Sequence, residues 1–111
     1  MVVAAGLFWA KTRQAQRQAA ASRGRATGRP YILYFSGEGC SICKTHQEPA
    51  LRALGGVPVE KVDAIAEPEL ARQFRVFTLP TTVVLDAAGR PRHVNYGYAP
   101  ARKLEAQLAS L

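Results

Sequence analysis

The stretch Tyr31-Ile32-Leu33-Tyr34-Phe35-Ser36-Gly37-Glu38-Gly39-Cys40-Ser41-Ile42-Cys43-Lys44 decides how the rest of the chain is read. Its first five residues form a continuous apolar and aromatic run between Pro30 and Gly37, the pattern of a short strand buried in the centre of a sheet. Gly37 and Gly39 supply a turn, and a helical stretch opens at Cys40 and carries to about Leu54, where Gly55 and Gly56 stop it. Strand, Gly-rich turn and helix thus follow one another, with two cysteines at the helix start.

Cys40 and Cys43 fall one turn apart on the same helix face. Unsatisfied N–H groups and the dipole at a helix start favour a thiolate, which lowers the pKa of Cys40 below the free value of about 8.5. Cys40 is therefore the expected nucleophile, and Cys43, deeper in the turn, the thiol that attacks a mixed disulfide from within. These are the chain's two cysteines. A pair this close cannot build the multi-bridge framework of a small secreted scaffold, and a bridge closing so small a loop stabilises little. A chemical use is expected, with structural zinc as the rival: Cys40, Cys43, His46 and His93 make a two-Cys, two-His set. Against it, His46 shares the helix with the cysteines and His93 falls in a separate hairpin, a spacing of no common zinc finger. The haem-attachment signature fails because Lys44 stands where its histidine would be. No cofactor and no metal are expected.

Downstream, residues 57–63 read as the next strand, and Pro68 opens a short helix with Leu70, Ala71 and Phe74 on one face. Residues 81–85 are a β-branched strand, 87–90 a turn, and 92–96 an antiparallel partner. Pro100 opens a last helix with Leu104, Leu108 and Leu111 at i, i+4 and i+7. Immediately before the 81–85 strand stands Thr78-Leu79-Pro80-Thr81. A cis bond before Pro80 would present the backbone of Leu79 to a bound peptide; a trans proline that merely starts the strand is the plainer alternative.

Upstream, the net charge of +7 is concentrated in one place. Lys11, Arg13, Arg17, Arg23, Arg25 and Arg29 stand in residues 1–30 with no acid among them, so the remaining body is nearly neutral. No aromatic residue interleaves with these cations after Lys11, and no nucleic acid is expected as a partner. Residues 2–10, with Phe8 and Trp9 ahead of Lys11 and Arg13, read either as the exit end of a membrane anchor or as a terminal helix. They are too short to span a bilayer, and the charge order is wrong for a secretory signal. With 48% hydrophobic and 21% charged residues over 111 positions, the chain has the balance of one folded domain. The expected organisation is an apolar segment over 1–10, a basic helix and linker over 11–29, and a domain over 30–111.

The strand 31–35, the motif Cys40-Ser41-Ile42-Cys43, Asp63 ending the next strand, Phe77-Thr78-Leu79-Pro80-Thr81, Ala88-Gly89-Arg90 and Gly97 together resemble the thioredoxin superfamily over about residues 31–111. The resemblance implies an α/β thioredoxin-like fold, here a central mixed four-stranded sheet flanked by helices, with an N-terminal helical extension. It also implies a cis peptide before Pro80 beside the cysteines, with Leu79 and Pro80, and Gly39, Ser41 and Ile42 around the pair, docking substrate. The activity implied is thiol–disulfide exchange with a protein disulfide or dithiol, recycled by a separate redox donor, in a monomer. Several departures set the chain apart. Gly39 stands where the family usually has Trp, Ser41-Ile42 replaces Gly-Pro, and Tyr34 occupies the place of a buried Asp that assists proton transfer. The helix proline, Pro49, also comes one residue later than usual.

Because Ser41-Ile42 adds neither charge nor a donor aimed at Cys40, a reductase is expected rather than an oxidase. A non-catalytic thioredoxin-like binding module is the competing class. If residues 1–10 end an anchor, the positive-inside tendency puts the domain in the cytoplasm, tethered to the membrane face; the alternative is an anchored extracytoplasmic protein.

Overall fold

The computed structural model describes residues 24–111, so the expectations for residues 1–10 and for the basic helix up to residue 23 lie outside the described residues. Among the described residues no helix is long and apolar enough to cross a membrane.

Strand β1 is Tyr31–Ser36, and every residue in it is buried. A π-helical segment, Cys43–Gln47, follows and runs straight into α1, Glu48–Arg52. Then come β2, Val59–Asp63; α2, Pro68–Gln73; β3, Thr81–Leu85; β4, Pro91–Tyr96; and α3, Ala101–Ala109. The four strands lie in the order β2-β1-β3-β4. β1 runs parallel to β2, with Phe35 opposite Val62, and antiparallel to β3, with Leu33 opposite Val83. β3 and β4 close the sheet as an antiparallel pair. The parallel β1–β2 pair requires a crossover, and the cysteine-bearing helix provides it. This is the mixed four-stranded thioredoxin-like sheet expected from the sequence.

The period-2 alternation of β1 divides the core. Tyr31, Leu33 and Phe35 face α2, packing with Val62, Leu70, Val83 and Leu85, and Phe74 tilts against Phe35 at 5.9 Å between ring centres. Ile32 and Tyr34 face the other way, onto Cys43, Leu51, Val84, Ala99 and Leu104. The redox helix and α3 therefore share one face of the sheet while α2 covers the other. Leu79 packs against both clusters.

Three elements depart from the sequence reading. The helix starting near Cys40 is not a regular α-helix: Glu48 N–H reaches back to Cys43 O, five residues away, and α1 ends at Arg52. Pro49 has no N–H to give the carbonyl of Thr45, and in an α-helix its ring would crowd that carbonyl; the wider turn lies where this conflict falls. The second strand begins at Val59 rather than residue 57, after Pro58. Of the three leucines expected on one face of the last helix, Leu104 is buried and Leu108 is partly buried, but Leu111 lies past the helix end and is exposed.

The segment before β1 is irregular and packs on the β3–β4 turn. Tyr31 O–H donates to Arg25 O at 2.8 Å and accepts from Gly24 N–H at 2.7 Å, and Gly28 N–H donates to Ala87 O at 3.1 Å. Gly89 makes this approach possible: its φ is +81°, and a Cβ there would lie 2.2 Å from the Arg25 carbonyl carbon. Asp86 holds the turn, its Oδ1 accepting from Ala88 N–H at 2.9 Å and Arg90 N–H at 3.0 Å.

Candidate active site

Cys40 and Cys43 are joined as a disulfide, with Cα atoms 5.3 Å apart. Their environments differ in exposure. Cys40 sits half-exposed at the end of the Gly37–Gly39 turn, its N–H donating to Gly37 O at 3.1 Å. Cys43 is fully buried against Ile32, Tyr34 and Leu104. Cys43 N–H also donates to Cys40 Sγ at 3.2 Å, so a backbone donor faces the more exposed of the two sulfurs.

Gly39, Ser41 and Ile42 are exposed around Cys40. The Leu79–Pro80 peptide is cis, Pro80 is buried and Leu79 half-buried. Leu79 lines the same cleft as Gly37, Gly39 and Cys40, so the distant Thr78–Thr81 segment and the cysteines meet in space. Gly37 lies against Leu79: a Cβ on it would fall 2.7 Å from Leu79 Cδ1, so that side chain would have to move. Thr81 Oγ1 caps the loop by donating to Thr78 O at 2.7 Å, and Gly97 N–H donates to Pro80 O at 2.8 Å.

The rival zinc set does not assemble. No group of three or more His, Cys, Asp or Glu side chains able to hold a metal occurs among the described residues. His46 Nδ1 shares a 2.8 Å hydrogen bond with Thr45 Oγ1 and its ring lies edge-on to Tyr98, while His93 Nε2 pairs with Ser110 Oγ at 3.0 Å. Lys44 Nζ returns to the turn and donates to Glu38 O at 3.3 Å.

Two polar groups behind the cysteines escaped sequence reasoning. Tyr34 O–H donates to Glu48 Oε2 at 2.9 Å, and Lys61 Nζ meets the same oxygen at 3.1 Å. Burial, and secondarily the Glu48 carboxylate, pushes the Tyr34 hydroxyl up to about 12. Hydrogen bonds from Lys61 and Tyr34 hold the Glu48 carboxyl below the ordinary carboxylate range. The family comparison placed Tyr34 at a buried acid; the structure puts a carboxylate on its hydroxyl, contributed by the redox helix. The second group is Gln47, fully buried, which donates from Nε2 to Ala99 O at 3.0 Å and accepts at Oε1 from Ala99 N–H at 2.8 Å. Neither has a local motif. The late position of Pro49 was the available signal that this helix is wound differently.

Residues 17–111 match the family described as a thioredoxin-like domain. A thioredoxin from Alicyclobacillus acidocaldarius subsp. acidocaldarius is 32% identical over 87 residues, covering 75% of this chain and 82% of that protein. Desulfothioredoxin from Desulfovibrio vulgaris Hildenborough, solved in its reduced form, superposes with a TM-score of 0.64 at 30% identity, covering 75% of this chain and 82% of that one. Chloroplastic thioredoxin z superposes with a TM-score of 0.66 at 27% identity, over 88% of this chain and 87% of that one.

Proposed function

The chain belongs to the thioredoxin superfamily and is a thiol–disulfide oxidoreductase, and from that premise we propose that it reduces disulfides in a protein partner. The observation that carries this reading is the asymmetry of the pair: a half-exposed Cys40 bonded to a fully buried Cys43.

In the reduced chain, the Cys40 thiolate attacks one sulfur of the partner's disulfide. A Cys40–partner bond forms, the partner's S–S bond breaks, and the released partner thiolate takes a proton from solvent. Cys43 then gives up its proton and attacks Cys40 Sγ. The internal disulfide forms, the mixed disulfide breaks, and the second partner thiol leaves. Two electrons pass from the dithiol to the partner, and a separate dithiol donor restores the pair.

What faces Cys40 supports reduction over oxidation. Cys43 N–H is the donor on its sulfur, and Ser41 and Ile42 bring no cation to it. A strong oxidant needs its reduced thiolate stabilised well beyond this. Leu79 and Pro80, with Gly39, Ser41 and Ile42, form the surface on which the partner's cysteine is laid. The concentration of Lys and Arg before Pro30 supports placing the domain on the cytoplasmic side of a membrane, which reporter fusions at either end would test.

The Cys43→Ser chain tests the mechanism. It should accumulate a covalent partner released by dithiothreitol, and the additional change Cys40→Ser should abolish it. A Cys43→Ser chain that forms no mixed disulfide while Cys40 titrates as a thiol refutes the proposal.

A further inference from the structure

We infer that this reductase selects partner segments by the residue two positions from the exchanging cysteine, favouring a large apolar or aromatic side chain that packs on Ile65 and Phe77. The inference rests on the proposed reduction of protein disulfides and names its substrate class.

A cleft of about 360 Å3 opens beside Cys40, with Ile65, Phe77 and Leu79 among its walls. Among the described residues, no charged side chain lines it. Ile65 is 73% exposed and Phe77 81% exposed, an unusual display of apolar surface next to a reacting sulfur. Both are held in place. Asp63 Oδ1 accepts from Ile65 N–H at 2.9 Å and Ala66 N–H at 3.1 Å, which fixes the turn carrying Ile65. Phe77 stacks on Tyr96 with ring centres 5.5 Å apart and planes 26° apart, leaving its other face open. The Phe77 ring, already stacked, loses little freedom when covered, so its burial contributes to binding rather than to ordering.

The chemistry of the cleft names its occupant. Cys40 lies in it, so whatever fills it brings a sulfur to Cys40, and the neighbours of that sulfur must lie along the walls. In an extended segment alternate side chains point the same way, so the residue two positions from the partner's cysteine meets Ile65 and Phe77. A Phe or Leu there removes apolar surface from water on both molecules. An Asp or Ser there loses water without gaining a hydrogen-bond partner.

The test uses the full chain, reduced, and symmetrical peptide disulfides: two identical short peptides joined through one cysteine each, with Phe, Ser or Asp two residues from it. Each turnover oxidises the Cys40–Cys43 dithiol and releases two peptide thiols. The Phe peptide should be reduced about 10-fold faster in second-order rate than the Ser peptide, with Asp slower still, the size of discrimination an apolar pocket gives. In a chain carrying Phe77→Ser and Ile65→Ser the Phe/Ser ratio should fall below about 2-fold, and in Phe77→Tyr it should persist. Equal rates for Phe and Ser peptides in the unaltered chain, or a ratio retained after both serine substitutions, overturn the inference. Hydroxyethyl disulfide, which has no flanking residues, separates the two levels. If the unaltered chain reduces it yet shows no peptide preference, selectivity alone is refuted; if it reduces neither, the reductase proposal falls and takes this inference with it.

Discussion

Tyr34 and Glu48 show how a single position shapes pH behaviour. The Tyr34 hydroxyl is raised from 10.0 to about 12, first by burial. Below 10 the folded and unfolded chains are both protonated there. As the pH climbs from 10 towards 12 the unfolded chain ionises first, and the stability contribution of this group is lost. Urea midpoints measured at pH 8 and pH 11 should therefore fall less for Tyr34→Phe than for the unaltered chain. Glu48 works in the opposite sense. Its carboxyl is lowered by Lys61 and Tyr34, so its contribution is present above the ordinary carboxylate value of 4.5 and is lost as the pH falls through the folded value. Between neutral pH and the acid side of 4.5, urea midpoints should therefore fall less for Glu48→Gln than for the unaltered chain. The pairing was not legible in the sequence: the family resemblance marked Tyr34 as standing where a buried acid usually lies, but Glu48 reads as a solvated helix residue. Only the register of the helix over β1 brings them together.

Helices and turns carry the next set of expectations. Gln47 joins the redox helix to the segment ahead of α3 through both polar atoms of Ala99. Gln47→Leu leaves a buried N–H and C=O without partners, and chemical denaturation should show a loss of about 3 kcal/mol. Gly89→Ala should destabilise by more than the roughly 1 kcal/mol of a positive-φ alanine, because its Cβ meets the backbone of Arg25 and Ala26; an unchanged unfolding midpoint would contradict the docking of residues 24–28. In α3, Leu104→Ala should cost about 2–5 kcal/mol, whereas the same change at exposed Leu111 should stay within about 0.5 kcal/mol. The strand 81–85 was read to the residue because its β-branched run stands between Pro80 and the Asp86 turn. The π-helical winding was not, since helix periodicity reports amphipathic spacing and hardly distinguishes one inserted residue. Pro49 marked the place without giving the geometry.

At the scale of the molecule, the mixed four-stranded sheet and the meeting of Cys40 with Leu79 were foreseen through resemblance rather than through pattern. Periodicity names strands but does not order them, and the neighbouring of β1 and β3 came from the structure. The cysteines themselves were legible because two thiols one helical turn apart behind a Gly-rich turn have few other uses. Ile65 was not singled out and Phe77 was named only within the family motif, since an apolar residue in a loop reads as core until the fold leaves it uncovered. The most direct measurement of the central claim is turnover of insulin disulfides with dithiothreitol as donor, comparing the unaltered chain with Cys40→Ser. The account predicts that the unaltered chain accelerates reduction well beyond dithiothreitol alone and that Cys40→Ser removes the acceleration. A rate equal to dithiothreitol alone, with thiol titration showing Cys40 and Cys43 reduced, would contradict it.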